Sequence, residues 1–137
     1  MISYELEKNL SLQEFIYVLD DSGLGERRPM QDPGQLEKML YNSNLVVVAR
    51  EGGVVVGVLR ALTDFTYRTF IADLAVISDR QGEGIGRGML GFARSLAPEA
   101  RLILFSAEKA IGFYQKLGFH LHERCYQLKP EEEIKWD

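Results

Sequence analysis

The sequence predicts one α/β domain built on a mixed sheet with helices on both faces, in the order β-α-α-β-β-β-α-β-α-β. Three observations carry that expectation. Two runs rich in β-branched residues, "NLVVVAR" and "VVVGVLRAL", flank Glu51-Gly52-Gly53, the pattern of an antiparallel hairpin. A further apolar run, "YRTFIADLAVI", leads straight into "DRQGEGIGRGML" at 79–90, where four glycines within seven positions precede a helical pattern. The chain has 137 residues, 46% of them apolar and four of them proline, which suits one core and hardly two.

The elements follow in order. "ISYEL" alternates like a short strand. Ser11 and Glu14 form a capping box, after which Leu12, Phe15, Ile16 and Leu19 recur at helical spacing. "DSGLGERRPMQDPG" is an irregular loop carrying Arg27 and Arg28, and Asp32-Pro33 supplies a cap and a first-turn proline for a second helix with Leu36, Met39 and Leu40 on one face. The hairpin comes next, its second strand ending near Thr63-Asp64-Phe65, and then the fourth strand, the glycine turn and a helix bearing Met89, Leu90, Phe92 and Leu96 up to Pro98. "RLILF" reads as a short buried strand, "SAEKAIGFYQKLG" as a helix closed by Gly118 in the left-handed conformation, and "FHLHERCYQL" as a last strand. Residues 129–137 read as a loose acidic tail on which Trp136 is the docking candidate.

Composition narrows the function. A net charge of −4 spread along the chain argues against nucleic acid as the main partner and favours a small molecule or a protein. No apolar run approaches the roughly 18 residues that cross a bilayer, and "MISYELEKNL" lacks the pattern of a secretion signal, so a cytoplasmic protein with no membrane partner is expected. Cys125 is the one cysteine, which excludes an internal disulfide. With His120 and His122 the only histidines, no soft-ligand cluster has zinc-site spacing and no metal is expected.

The glycine turn has two local readings. Gly82, Gly84 and Gly86 leave backbone N–H groups free of Cβ crowding at a helix start, which suits a phosphate or pyrophosphate, with Arg80 and Arg87 at hand. Alternatively, the glycines serve a helix entry packed closely on a neighbouring strand. Two phosphate motifs fail. A Walker loop requires Lys and then Ser or Thr after its last glycine, where this chain has Arg87-Gly88. A dinucleotide fingerprint requires glycine at 87 and an acid ending the next strand; the glycine falls at 88, and the nearest acid, Glu108, lies in the following helix.

What matches is Q/R-x-x-G-x-G in Gln81-Gly82-Glu83-Gly84-Ile85-Gly86, preceded by "DLAVISDR" and followed downstream by "SAEKAIGFYQKLGF". These stretches resemble the GNAT superfamily of acyl-CoA-dependent N-acetyltransferases, most specifically from about residue 70 to 119. "SGLGERRPMQD", "NLVVVAR" and "LTDFTY" resemble a subgroup of small bacterial members of largely unassigned substrate. The resemblance implies acetyl transfer from acetyl-CoA to a primary amine, with the pyrophosphate on Gln81, Gly82, Glu83, Gly84, Ile85, Gly86 and Arg87 and the pantetheine arm along Leu74, Ala75 and Val76. It makes Tyr114 the acid that protonates the departing thiolate and Asp73 a candidate base, against the alternatives of packing and a structural carboxylate. The family's asparagine after the fifth strand is absent, and Ser106 stands in its place. The acceptor is expected near Arg27, Arg28, Asp64 and Tyr67, with the arginines favouring a carboxylate or phosphate. A homodimer is the assembly the resemblance suggests. A CoA-binding sensor or partner module with decayed catalysis is the alternative function.

Overall fold

Five strands form one sheet in the order β1-β2-β3-β4-β5, which is also their order in the chain: β1 (Ile2–Leu6), β2 (Leu45–Glu51), β3 (Val54–Thr63), β4 (Arg68–Val76) and β5 (Arg101–Leu104). This is a computed structural model, and it describes residues 1–136. The chain divides into two compact units, Met1–Phe105 and Ser106–Asp137.

In the first unit the β1–β2, β2–β3 and β3–β4 pairings are antiparallel, and β4–β5 is parallel. The β2–β3 hairpin turns on Gly52 and Gly53, with φ of 58° and 83°. Both angles are positive, as the favoured two-residue hairpin turn requires, and glycine adopts them without a Cβ penalty. Leu45 through Ala49 of β2 are all buried although successive side chains point to opposite faces, so both faces of the sheet are covered.

The covering helices start and stop where the sequence places them. In α1 (Leu12–Ser22), Ser11 Oγ accepts the Glu14 N–H at 3.1 Å, and Gly23 ends the helix with φ 89°. In α2 (Pro33–Tyr41), Asp32 Oδ1 accepts the Gln35 N–H at 3.1 Å, ahead of a first-turn proline. The Glu14 carboxylate is shared: it accepts from Ser11 Oγ at 3.1 Å and pairs with Arg50, which also binds Glu7, and Arg50, with a smaller contribution from Ser11, holds the Glu14 pKa below its ordinary value. The third helix, α3 (Ile85–Leu96), buries Ile85, Met89, Leu90 and Ala93. A Cβ on Gly88 would lie 2.1 Å from Tyr4 Oη, so this glycine serves the close packing of α3 on β1.

Two irregularities in the sheet matter for function. Arg60 pairs with Asp73 and Ala61 with Ile71, which leaves Ala72 unopposed as a bulge in β4. The β4–β5 ladder ends at the pair Ile71–Leu104, so among the described residues the β5 side of β4 has no strand partner from Ala72 to Val76. The expectation of a buried fifth strand is corrected: Arg101 is exposed and Leu102, Ile103 and Leu104 are half-buried, because β5 is an edge strand of four residues.

The second unit holds a 3-10 turn (Glu108–Ala110) and α4 (Ile111–Lys116). Gly118 is left-handed at φ 95°, as expected for the cap, and the Gly118 and Phe119 N–H groups donate to Gln115 and Tyr114 carbonyls at 3.0 Å each. The expected last strand over "FHLHERCYQL" is not formed. Its hydrogen bonds are local: the Cys125 N–H reaches the His122 carbonyl at 3.4 Å and the Arg124 N–H reaches His122 Nδ1 at 3.0 Å, a turn in the middle of the run. Neither alternating face is a continuous apolar stripe, since Glu123 and Gln127 interrupt one and His120, His122 and Arg124 the other. Residues 129–136 are exposed, Trp136 included; the last residue of the predicted tail, Asp137, lies outside the described residues.

Candidate functional site

The strand-turn-helix unit of β4 and α3 builds a concentration of backbone donors. After β4 a 3-10 turn (Ser78–Arg80) leads into Gln81, and Gly82 and Gly84 adopt φ of 84° and 86°. Apart from the adjoining residues, no atom of the described residues lies within 4 Å of a Cβ built on either glycine, so backbone conformation and not space demands glycine there. Gly86 lies within the first turn of α3. Among the described residues, none of the backbone N–H groups from Gln81 to Arg87 has a hydrogen-bond partner; the next amide, that of Gly88, donates to the Gly84 carbonyl at 2.9 Å. These donors add to the partial positive charge of the α3 N-terminus, a setting made for an oxyanion.

The flanking side chains divide the work. Arg80 is spent within the protein: Nε donates to Glu83 Oε1 at 3.0 Å and Nη1 to Glu51 Oε1 at 2.5 Å. The Glu51 carboxylate, followed by Glu83, raises the Arg80 pKa, and Arg80 in turn lowers that of Glu51. Arg87 is exposed and makes no ion pair among the described residues. Gln81 ties the turn to the strand, its Nε2 donating to the Val76 carbonyl at 2.9 Å. Leu74, Ala75 and Val76 lie on the stretch of β4 whose outer edge carries no strand.

One residue further back, Asp73 is buried with its side chain at zero exposure and is held from two sides. Oδ1 accepts from Arg28 Nε at 2.6 Å and Oδ2 from Arg60 Nε at 2.5 Å. Arg28, from the loop before α2, also donates from Nη2 to the Ala72 carbonyl at 2.8 Å and from Nη1 to the Arg27 carbonyl at 2.8 Å. Arg60 Nη1 donates to Ser43 Oγ at 3.2 Å and the Met39 carbonyl at 3.4 Å. Arg28 and Asp73 are thus brought together beside the open edge of β4, whereas Arg27 points its charge outward as an exposed side chain.

Asp64 and Tyr67 sit at the other end of β4, in the turn from β3. Asp64 Oδ1 accepts the N–H groups of Tyr67 at 2.7 Å, Thr66 at 2.9 Å and Arg68 at 3.0 Å. These three amides, Tyr67 first, lower its pKa from 3.8 to about 2. Tyr67 is exposed, with the Arg68 guanidinium carbon 4.0 Å from its ring centroid. The pH consequence has a definite sign. A carboxyl whose folded pKa lies below its unfolded value contributes stability that is present above about pH 4 and lost as pH falls toward 2. In acid titrations of unfolding, Asp64→Asn is expected to flatten the stability loss between pH 4 and 2 relative to the parent; parallel curves would remove this assignment.

In the second unit, Tyr114 lies half-buried on α4, its ring edge-on to Phe113 at 5.1 Å and to Phe119 at 5.4 Å between centroids. Ser106 Oγ donates to the Ala107 carbonyl at 2.7 Å.

Residues 42–121, more than half of the chain, match the family model of the acetyltransferase (GNAT) domain. The chain belongs to the GNAT acetyltransferase family. It is 36% identical over 88 residues to a protein of Mycobacterium tuberculosis named "Probable N-acetyltransferase Rv2775", a match covering 61% of this chain and 51% of that protein. The chain therefore spans about half the length of that relative. The structure of GNAT family protein SP0256 from Streptococcus pneumoniae is similar with a TM-score of 0.76 and 26% identity, over 94% of this chain and 96% of that one. An aminoglycoside N-acetyltransferase, AAC(6')-Iy, solved in complex with CoA, shares the fold with a TM-score of 0.72 at 14% identity, over 96% and 95% of the two chains.

Seen as a GNAT protein, the chain contains two features that sequence reasoning passed over: Arg60 and the Ala72 bulge. Arg60 left a signal, as the lone charge inside the otherwise apolar "VVVGVLRAL". A charge in a buried strand requires a partner, and Asp73 in the neighbouring strand was the candidate. The bulge left none, since it depends on the register between β3 and β4.

Proposed function

We propose that this GNAT protein transfers the acetyl group of acetyl-CoA to a primary amine of a small molecule, by direct attack within a ternary complex. The observation that carries the reading is the adjacency of two sets of backbone groups: the free amides from Gln81 to Arg87 and the strandless edge of β4 between Ala72 and Val76, whose end carbonyls are taken by the Arg28 and Gln81 side chains. The first set suits a pyrophosphate, with Arg87 as the available flanking cation. The second suits an amide-bearing arm that adds to a sheet edge, along Leu74, Ala75 and Val76. The CoA present in the AAC(6')-Iy structure supports the same reading.

Bound acetyl-CoA supplies the activated thioester. On this reading, backbone N–H groups near Leu74 to Val76 stabilise the oxyanion, and the Tyr114 phenol donates its proton to the leaving sulfur. The acceptor amine must lose a proton at neutral pH. With both oxygens of Asp73 engaged by guanidinium groups, that proton leaves through water or a backbone carbonyl instead of Asp73. Ser106 is the proposed contact to the middle of the pantetheine arm, and Asp64 and Tyr67 shape the acceptor side, Asp64 through the turn it holds.

Calorimetric titration with acetyl-CoA tests the reading; micromolar binding is expected, and none at millimolar ligand would end it. Thiol release across a panel of amines then separates an enzyme from a CoA-binding module. For the amine that is turned over, Tyr114→Phe is expected to lower kcat about 100-fold with the KM for acetyl-CoA little changed. An unchanged kcat would remove Tyr114 from the chemistry.

A further inference from the structure

The arginine pair around Asp73 carries one more positive charge than the protein neutralises. Both guanidinium groups are permanently charged, and Asp73 supplies the single carboxylate that pairs with either of them among the described residues. Arg60 is 8% exposed, so its charge is largely withdrawn from water. Its Nε and Nη1 have protein partners, and its Nη2 has none. No buried side-chain nitrogen or oxygen among the described residues lacks a partner, so Nη2 must reach an accessible surface. Arg28 keeps two further N–H groups beyond the three that bind Asp73, Ala72 and Arg27. A buried guanidinium with an unused, accessible nitrogen, in a cluster of net charge +1, is a site for an anion.

Resting on the acetyl-transfer reading, we propose that Arg60 and Arg28 bind a carboxylate of the acceptor, so that the substrate is an amino acid or another amine bearing a carboxylate group. The cluster adjoins Leu74–Val76, the stretch along which the acyl donor is placed, and an amine tethered to an anion held there is presented beside the thioester. Charge favours carboxylate over phosphate. A monoanion balances the surplus of +1, whereas a phosphate monoester brings about −1.5 to −2. Arg60 also offers a single nitrogen from a largely buried side chain, which admits one carboxylate oxygen more readily than a tetrahedral dianion.

The test uses the full chain with CoA bound and product mimics that require no knowledge of the acceptor. N-acetylglycine and its homologues with two to four methylenes between nitrogen and carboxylate are each compared with the N-alkylacetamide lacking the carboxylate, by saturation-transfer NMR and competition. At least one carboxylate is expected to bind tenfold or more tightly than its neutral partner. Arg60→Met is expected to reduce that preference below twofold while the CoA titration stays unchanged; Arg60→Lys, which keeps the charge, should retain part of it. Equal binding of every pair, or a preference that survives Arg60→Met, overturns the proposal even if CoA binds normally. Failure of CoA itself to bind falls on the acetyl-transfer reading instead.

Discussion

Gly84→Asp is expected to weaken acetyl-CoA binding at least 100-fold while leaving the protein folded. The position allows both halves of that statement. At φ 86° the backbone is left-handed, a region that Asp and Asn tolerate better than other residues with a side chain, and apart from the adjoining residues no atom of the described residues lies within 4 Å of the new Cβ. The fold therefore loses little. The ligand loses much, because a carboxylate now stands among the donors of Gln81 to Arg87, where a diphosphate should lie. Two unit charges about 4 Å apart interact by about 4 kcal/mol at an effective dielectric constant near 20. Screening of an exposed turn reduces this, and about 3 kcal/mol is still roughly a hundredfold. Gly84→Asn has almost the same shape without the charge and is expected to stay within about tenfold of the parent in calorimetric titration. Equal losses in the two variants would show that the amides do not face an anion.

The glycine turn was legible because its information is local. Positive φ at Gly82 and Gly84, a helix start and the donors it exposes all follow from seven or eight consecutive residues. The same holds for the hairpin at Gly52-Gly53, the caps at Ser11 and Asp32 and the left-handed Gly118. What escaped sequence reasoning depends on partners distant in the chain. Glu14 was read as completing a capping box, and its carboxylate does bind Ser11, but it also goes to Arg50, 36 positions away. Asp73 was read as a candidate base or a structural carboxylate, and composition did not reveal its guanidinium partners, which lie 13 and 45 positions away. "FHLHERCYQL" was read as a strand from its composition, although strand formation requires a paired edge and a coherent apolar face that composition does not reveal.

For Asp73 the outcome of substitution separates the two roles. If it were a base, Asp73→Asn would lower kcat and leave stability nearly intact. The geometry predicts the reverse order of effects. Removing the carboxylate leaves the Arg28 and Arg60 charges facing one another in a largely buried site, with the Asp73 side chain at zero exposure. Breaking such a pair from one side typically costs about 3–5 kcal/mol, most of it from the charge left without a partner. In a domain of this size that lowers Tm by about 10 °C or more. The loss should be partly repaired in Asp73→Asn/Arg60→Met, where one of the two unpaired charges is also gone, and a double-mutant cycle should yield a coupling of at least about 1.5 kcal/mol. An Asp73→Asn protein with parental Tm and a collapsed kcat would instead return the carboxylate to the chemistry. The distinction matters for the acceptor as well, because a carboxylate committed to the arginine pair leaves the cluster with one charge to spare.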